Sequence, residues 1–363
     1  VRLRSAPPSG LVMLASRRGP RRSLARLFVL CFLLSAFTSI GLAAEPPLLV
    51  TVGAVTPESA VIWARATGSG PLTLQYGRSP DRLEVRHEVT VDADTDFAWK
   101  FQIDQLSPAT RYSYRLSGGS ERLTGEFVTA STSDDPRSVS FLWSGDLGSN
   151  SHCRDRTKGY PIFLPMAKFR PDFFLFVGDS IYADHQCAGE DKVPGYDFVA
   201  TTLPEFRAKH RYNRADPALQ AFFRSTSVYA IWDDHEVRND FAGSVEPLMP
   251  VGRQAFLDYW PIRPSPEEPG RLYRRVRWGK LLEIFVLDTR QYRSSNREPD
   301  GAAKTMLGSA QRQWLIEGVS GSDAVWKIVV SSVSLAIPTG RAHRDSWSNA
   351  NRLGFPEEPS GFA

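Results

Sequence analysis

Phe173-Phe-Leu-Phe-Val-Gly-Asp179-Ser-Ile-Tyr182 is an apolar run that stops abruptly at Gly-Asp. Five consecutive apolar residues suit a strand buried on both faces. Gly178 lets the backbone turn at once, so Asp179 is delivered to the carboxyl end of the strand, where α/β sheets place their sites. Working outward, Phe141-Leu-Trp-Ser-Gly-Asp146 has the same form. Val228-Tyr-Ala-Ile-Trp-Asp233-Asp-His235-Glu-Val-Arg-Asn239-Asp240 ends in a denser cluster. Three strand ends carrying Asp, Asp and Asp/His/Asn point to a multi-metal hydrolytic centre.

A lone Gly-Asp after a strand is ambiguous, because Asp also caps turns. The three ends together suggest specific roles. Asp179 suits a bridge between two cations. Tyr182, three residues on, could return a phenolate to one of them. A phenolate is a hard anionic ligand and favours a trivalent ion such as Fe(III), whose shell Asp146 would complete. Asn239 offers a neutral carbonyl oxygen, suited to Ca2+.

Upstream, residues 48–129 alternate in short β runs such as Leu72-Thr-Leu-Gln-Tyr76 and Trp99-Lys-Phe-Gln-Ile103, broken by Gly, Pro and Ser. Leu106-Ser-Pro-Ala-Thr-Arg-Tyr112-Ser-Tyr114 resembles the tyrosine corner of fibronectin type III-like domains. The expected organisation is an N-terminal β-sandwich over 45–130, a polar linker at 131–136, and an α/β layered domain over 137–363. In that second domain, strands are expected near 139–145, 173–178, 228–232, 281–287 and 326–333. Helices are expected near 161–169, 198–211, 251–259 and 309–317, the last beginning at a Ser309 cap. Trp278, Trp314 and Trp326 have core-like patterns, and His87 and His210 read as surface residues.

The net charge of +4 is misleading. Residues 1–44 carry seven Arg and no acid, so the rest of the chain sums to −3, and nucleic acid is not an expected partner. Arg17-Arg18 and Arg21-Arg22 precede Leu27-Phe-Val-Leu-Cys-Phe-Leu-Leu-Ser-Ala-Phe and then Gly41-Leu-Ala-Ala, the form of an export signal over 1–44. Arg21-Arg22-Ser-Leu-Ala resembles a twin-arginine signal, with Met13 as an alternative start. The expected mature protein is periplasmic, secreted or at the cell surface, without a stable membrane span. Removing the signal takes Cys31 with it and leaves Cys153 and Cys187. They follow Asp146 and Asp179 by similar distances, so a disulfide is expected, with free thiols or a soft metal site as alternatives.

Ser144-Gly-Asp146, Arg170-Pro-Asp-Phe-Phe, Gly178-Asp-Ser-Ile-Tyr-Ala-Asp184, Trp232-Asp-Asp-His-Glu-Val-Arg-Asn-Asp240 and Leu287-Asp-Thr-Arg-Gln-Tyr-Arg293 resemble PhoD-type alkaline phosphatases over about residues 48–350. The resemblance implies a purple-acid-phosphatase-like fold and an extracytoplasmic hydrolase of small phosphomonoesters, sometimes of phosphodiesters. It also implies a centre of Fe(III) and Ca2+, with Asp179 bridging, Tyr182 on iron and Asn239 on calcium. Members often carry Cys where Asp146 stands. His235 would protonate the leaving alkoxide or orient phosphate. Asp234 would hold His235 or touch metal. Arg154 and Arg290 are candidate phosphate binders, with a solvated loop residue and an ion pair to Asp288 as the alternatives. His343 falls in a loop expected near the site mouth. A serine esterase is disfavoured, because no Gly-x-Ser-x-Gly elbow is present.

After Trp347 the resemblance leads one to expect a further strand ending in Asp-x-His, and none follows residue 333. The expectation is a catalytic domain truncated before its last metal ligands. The alternative reading is an inactive homologue or gene fragment that acts as a binding module.

Overall fold

The computed structural model describes residues 47–148, 153–299, 301–335, 337, 345–350 and 356–359. The export-signal reading, with Met13 and Cys31, and the loop carrying His343 lie outside the described residues.

Four strands form an antiparallel sheet: β3 (Gly70–Gly77), β4 (Val85–Val91), β6 (Arg111–Gly118) and β7 (Glu121–Val128), in the order β4-β3-β6-β7. Along β6 burial alternates, with Tyr112, Tyr114 and Leu116 turned inward. Tyr112 Oη accepts the Ser107 N–H at 2.9 Å, the contact expected of a tyrosine corner.

The facing strands β1 (Leu49–Gly53), β2 (Ala60–Arg65) and β5 (Ala98–Ile103) are not a separate sheet. They continue into β10 (Ser227–Ile231), β9 (Phe173–Val177) and β8 (Phe141–Ser144), giving one six-stranded sheet ordered β5-β2-β1-β10-β9-β8. The join is a parallel contact of β1 with β10 at Gly53 and Val228. A Cβ on Gly53 would lie 2.4 Å from Val228 O and 2.5 Å from Pro261 Cγ, so only glycine permits this approach. Hydrogen bonds reinforce the junction. Tyr114 Oη donates to Arg224 O at 2.8 Å, Trp63 Nε1 donates to Asp258 O at 2.8 Å, and Arg211 pairs with Asp96 at 2.5 Å. Residues 47–130 and those after the linker share one sheet and one apolar core.

A second sheet, β11 (Arg274–Trp278), β12 (Leu282–Val286) and β13 (Trp326–Val330), packs on the first through aromatic rings. The Trp278 ring lies 5.0 Å from Phe173, and its Nε1 donates to Tyr229 Oη at 3.0 Å. Among the described residues the α-helices α1 (Phe163–Phe169), α2 (Leu203–Arg214), α3 (Pro217–Phe223), α4 (Met249–Tyr259) and α5 (Gly308–Gly321) connect the strands. A Thr202–Glu205 capping box starts α2, and Asp216 caps α3 by accepting the Leu219 N–H.

Several expectations change here. Helix α5 is entered from Leu307, with Thr305 Oγ1 accepting the Gly308 N–H, so Ser309 already lies inside the first turn. Strand β8 is the sheet edge rather than a buried strand, and Trp143 is 68% exposed. Trp326, on edge strand β13, is likewise exposed. His210 is buried, stacked 5.2 Å from Tyr259, because α2 turns it toward the junction rather than to solvent.

Candidate metal centre

Strands β8, β9 and β10 are adjacent and parallel, so their carboxyl ends reach one edge. Ser144 pairs with Phe176, and Val177 with Ile231, which sets all three Asp-bearing loops level. The first two loops are stitched together by backbone: Asp146 N–H donates to Gly178 O at 3.1 Å, and Leu147 N–H to Asp179 O at 2.8 Å. Asp146 and Asp179 both take left-handed backbone, with φ of 56° and 52°, at a cost of about 1 kcal/mol each. Gly178 lets the third loop in: a Cβ there would sit 2.5 Å from Asp233 Cβ, and its φ is 111°.

Asp179 is 5% exposed and stands among acids. Burial, then the charges of Asp233, Glu236, Asp234 and Asp146, push its carboxyl well above the usual carboxylate range. Burial together with Asp179 and Asp146 also raises the Tyr182 phenol, which hydrogen-bonds Asp179. Asp146 itself is solvent-exposed at the rim. One ligand atom each from Asp179, Asp234 and His235 can be chosen within 4.8 Å of one another.

Glu236, which the strand-end pattern did not single out, holds two of the loops. It is fully buried, and its Oε2 accepts the N–H groups of Asp179 at 3.1 Å and Asp233 at 2.8 Å. Its Oε1 accepts the Ser180 N–H and hydroxyl, each at 2.6 Å. Asp184 was also missed. Its Oδ1 is 2.8 Å from His235 Nδ1, and its Oδ2 accepts the Asn239 N–H at 2.8 Å. Burial would raise this carboxyl, but the His235 hydrogen bond and charge hold it below the usual value. Asp184, not Asp234, therefore orients His235, while Asp234 accepts the Asp240 N–H at 2.6 Å. Contacts among the described residues tie the exposed Asn239 to the site through its backbone rather than its carboxamide.

Neither arginine expected to bind phosphate is presented to a ligand. Arg290 is 1% exposed. Its Nε donates to Asp233 at 2.6 Å, and its fork meets both Asp345 oxygens at 2.7 Å. Nor does it pair with Asp288, whose Oδ1 accepts Trp232 Nε1 and the N–H groups of Arg290 and Gln291, an Asp-capped turn. Arg154 is buried rather than on the rim. It donates to Tyr212 O at 2.6 Å and stacks 5.1 Å over the Tyr212 ring. Cys153 and Cys187 form a disulfide with a Cα separation of 5.7 Å, tying the loop after β8 to the loop after β9.

The PhoD-like phosphatase family profile matches residues 147–357, a stretch that begins at this edge and takes in the Asp179, Tyr182 and His235 loops. This chain belongs to the PhoD-like phosphatase family. It is 28% identical over 348 residues to alkaline phosphatase D of Bacillus subtilis (strain 168), covering 82% of this chain and 56% of that one. The chain thus spans little more than half the length of the curated relative it matches. The solved structure of PhoD superposes with a TM-score of 0.71 at 23% identity, covering 85% of this chain and 67% of that one. Purple acid phosphatase PPD1 from yellow lupin (Lupinus luteus) seeds gives 0.55 at 11% identity, covering 87% and 55%. Both likenesses show the fold, a metallophosphoesterase-like arrangement of mixed sheets.

PhoD-like membership implies bound metal, and the donor set fits. Asp179 carries like charges on several sides, and the buried cations nearby are already committed, Arg290 to Asp233 and Asp345 and Arg293 to Asp345. Oxygen donors with one imidazole suit hard to borderline cations.

Proposed function

We propose that this chain carries the catalytic core of an exported, metal-dependent phosphoric ester hydrolase of the alkaline phosphatase type, acting on small phosphomonoesters and also on phosphodiesters. The observation that carries this reading is the buried Asp179 carboxylate ringed by acids at the shared edge of three parallel strands. Asp146, Asp179, Tyr182 and Asn239 would hold the cations, with Fe(III) beside the Tyr182 phenol and Ca2+ beside Asn239. The bound metals supply phosphate charge neutralisation and water activation.

The chain's own residues do the rest. Glu236 fixes the Asp179 and Asp233 backbones, so the carboxylates keep their positions when a charged substrate arrives. Asp184, held anionic, keeps the proton on His235 Nδ1 and aligns the ring. Nε2 is then the nitrogen that passes a proton to the leaving oxygen. Arg290 holds Asp233 and Asp345 in place behind the site and does not bind phosphate.

Export rests on the Arg-rich, apolar start of the chain, and the Cys153–Cys187 disulfide fits an oxidising compartment. Among the described residues no helix is long and apolar enough to cross a membrane. The deciding experiment is hydrolysis of p-nitrophenyl phosphate by the purified chain, with elemental analysis, beside Asp179→Asn. Metal content with turnover, both lost in the variant, is expected. A chain that takes up no metal and hydrolyses no ester under any metal supply would sink the assignment.

A further inference from the structure

A second set of ligand types lies beside the carboxylate cluster. Asp184 Oδ1 is 2.8 Å from His235 Nδ1 and 3.1 Å from His185 Nδ1. One ligand atom from each of the three can be chosen with all within 4.8 Å of one another. The imidazole centroids are 5.2 Å apart with planes at 63°, so the rings are not stacked, and both Nδ1 atoms meet the same Asp184 oxygen. The His185 side chain is 38% exposed, whereas those of Asp184 and His235 are 11% and 13%, a set open to solvent on one side.

Two imidazoles and one carboxylate are donors for a borderline transition ion rather than for Ca2+ or Mg2+. Bonds of about 2.0–2.1 Å at tetrahedral angles put neighbouring ligand atoms roughly 3.3 Å apart. The two N···O separations present are shorter by a few tenths of an ångström, so a cation replacing the bridging protons needs little movement. The set is also braced from outside. Asn239 N–H holds the other oxygen of Asp184, and Lys209 Nζ donates to His185 O at 2.6 Å. Ala183 N–H donates to His235 O at 2.8 Å, which fixes the two loops against each other. Outer hydrogen bonds of this kind orient metal ligands.

We propose that Asp184, His185 and His235 form a binding site for a divalent transition ion of the zinc class, separate from the carboxylate cluster around Asp179. His235 belongs to both neighbourhoods, since it also lies within reach of Asp179 and Asp234. Occupancy of the triad withdraws His235 from proton transfer, so zinc inhibits hydrolysis; this consequence rests on the function proposed above, whereas the binding does not.

The test is a Co2+ titration followed by visible absorption on wild type, Asp179→Asn, His185→Ala and His185→Gln, each checked for folding by near-ultraviolet circular dichroism. Wild type and D179N should develop a tetrahedral cobalt band, and both His185 variants should bind cobalt at least tenfold more weakly. Should D179N not fold, wild type saturated with calcium takes its place. Equal cobalt binding by wild type and the folded His185 variants overturns the site, as does a band that disappears in D179N while persisting in H185A. Loss of zinc inhibition in H185A supports the site as well. Cobalt binding that needs His185, without zinc inhibition of hydrolysis, supports the site and counts against the proton-transfer role of His235.

Discussion

Glu236 receives the Asp179 N–H at 3.1 Å across 57 residues of sequence, so the central carboxylate is positioned through its own backbone by a second buried acid. The same side chain accepts from Asp233 and twice from Ser180. Replacing it with Gln puts an amide donor against at least one of these donors. We expect Glu236→Gln to lose about 2–4 kcal/mol by urea unfolding. Hydrolysis should fall by more than tenfold even at temperatures where the variant stays folded. A variant with wild-type turnover would show that the latch does not set the position of Asp179.

Arg290 is the cation paired with Asp233, and it shares Asp345 with Arg293. Burial alone would raise Asp233; with Arg290 offsetting part of that shift and Asp234 adding to it, the carboxyl lies at about 7. Arg290→Met leaves the Asp233 carboxylate without its buried partner and should cost about 3–5 kcal/mol. Arg290→Lys keeps the charge but not the fork and should cost less. Paired thermal melts of the two variants check the order, and equal losses would mean that the charge without the fork contributes nothing.

Metal removal should destabilise the protein, because the acids around Asp179 then repel one another. A cation held at a hundred times its dissociation constant contributes about 2.7 kcal/mol. Chelator treatment should lower the melting temperature by several degrees, and adding metal back should restore it. In Asp179→Asn the chelator should have little effect on the melt.

Reduction of Cys153–Cys187 releases a loop spanning a sequence separation of 34 and containing Asp179 and Tyr182. The chain-entropy relation for a loop of this length gives about 3–4 kcal/mol. Reductant, or the paired Cys→Ser change, should lower both the unfolding midpoint and metal affinity. An unchanged midpoint under verified reduction would contradict this.

Lys100 gives a pH dependence away from the site. Burial pushes its ammonium down to about 8, and its Nζ donates to Leu257 O at the junction with α4. Between that value and the ordinary 10.5 the unfolded chain binds the extra proton, so this group makes stability rise with pH from about 8 upward. The rise should be smaller in Lys100→Met when urea midpoints are compared at pH 7.5 and 9.5. Parallel pH curves for the two proteins would refute the assignment.

Much of the site was legible because strand ends are local. An apolar run, a glycine and an acid within ten residues already place Asp179, and two further runs bring Asp146 and the His235 loop to the same edge. What escaped was nonlocal. Asp184 and Asp234 are both plausible partners for His235, and the choice depends on how two loops cross, which no spacing encodes. Glu236 sits inside a motif crowded with acids, and what sets it apart is the four hydrogen bonds it accepts from Asp179, Asp233 and Ser180. Arg290 and Arg154 were misread for the same reason: a loop arginine in sequence gives no sign that it will turn inward. The sheet shared by β1 and β10 was invisible because it depends on one glycine contact between residues 175 positions apart. A signal was present for His185 beside Asp184, since adjacent Asp-His next to a metal motif is a ligand-rich dipeptide.

The contact of Gly53 with Val228 makes the front of this protein inseparable from its back. A sandwich joined only by a tether could be excised, transplanted or lost with its owner unharmed. Here its removal would strip a neighbour from β10, the strand that presents His235, and bare a row of backbone donors and acceptors to water. Grafting this segment onto another hydrolase would therefore carry half a sheet with it, and inheritance has reason to keep the two stretches together as one folding unit.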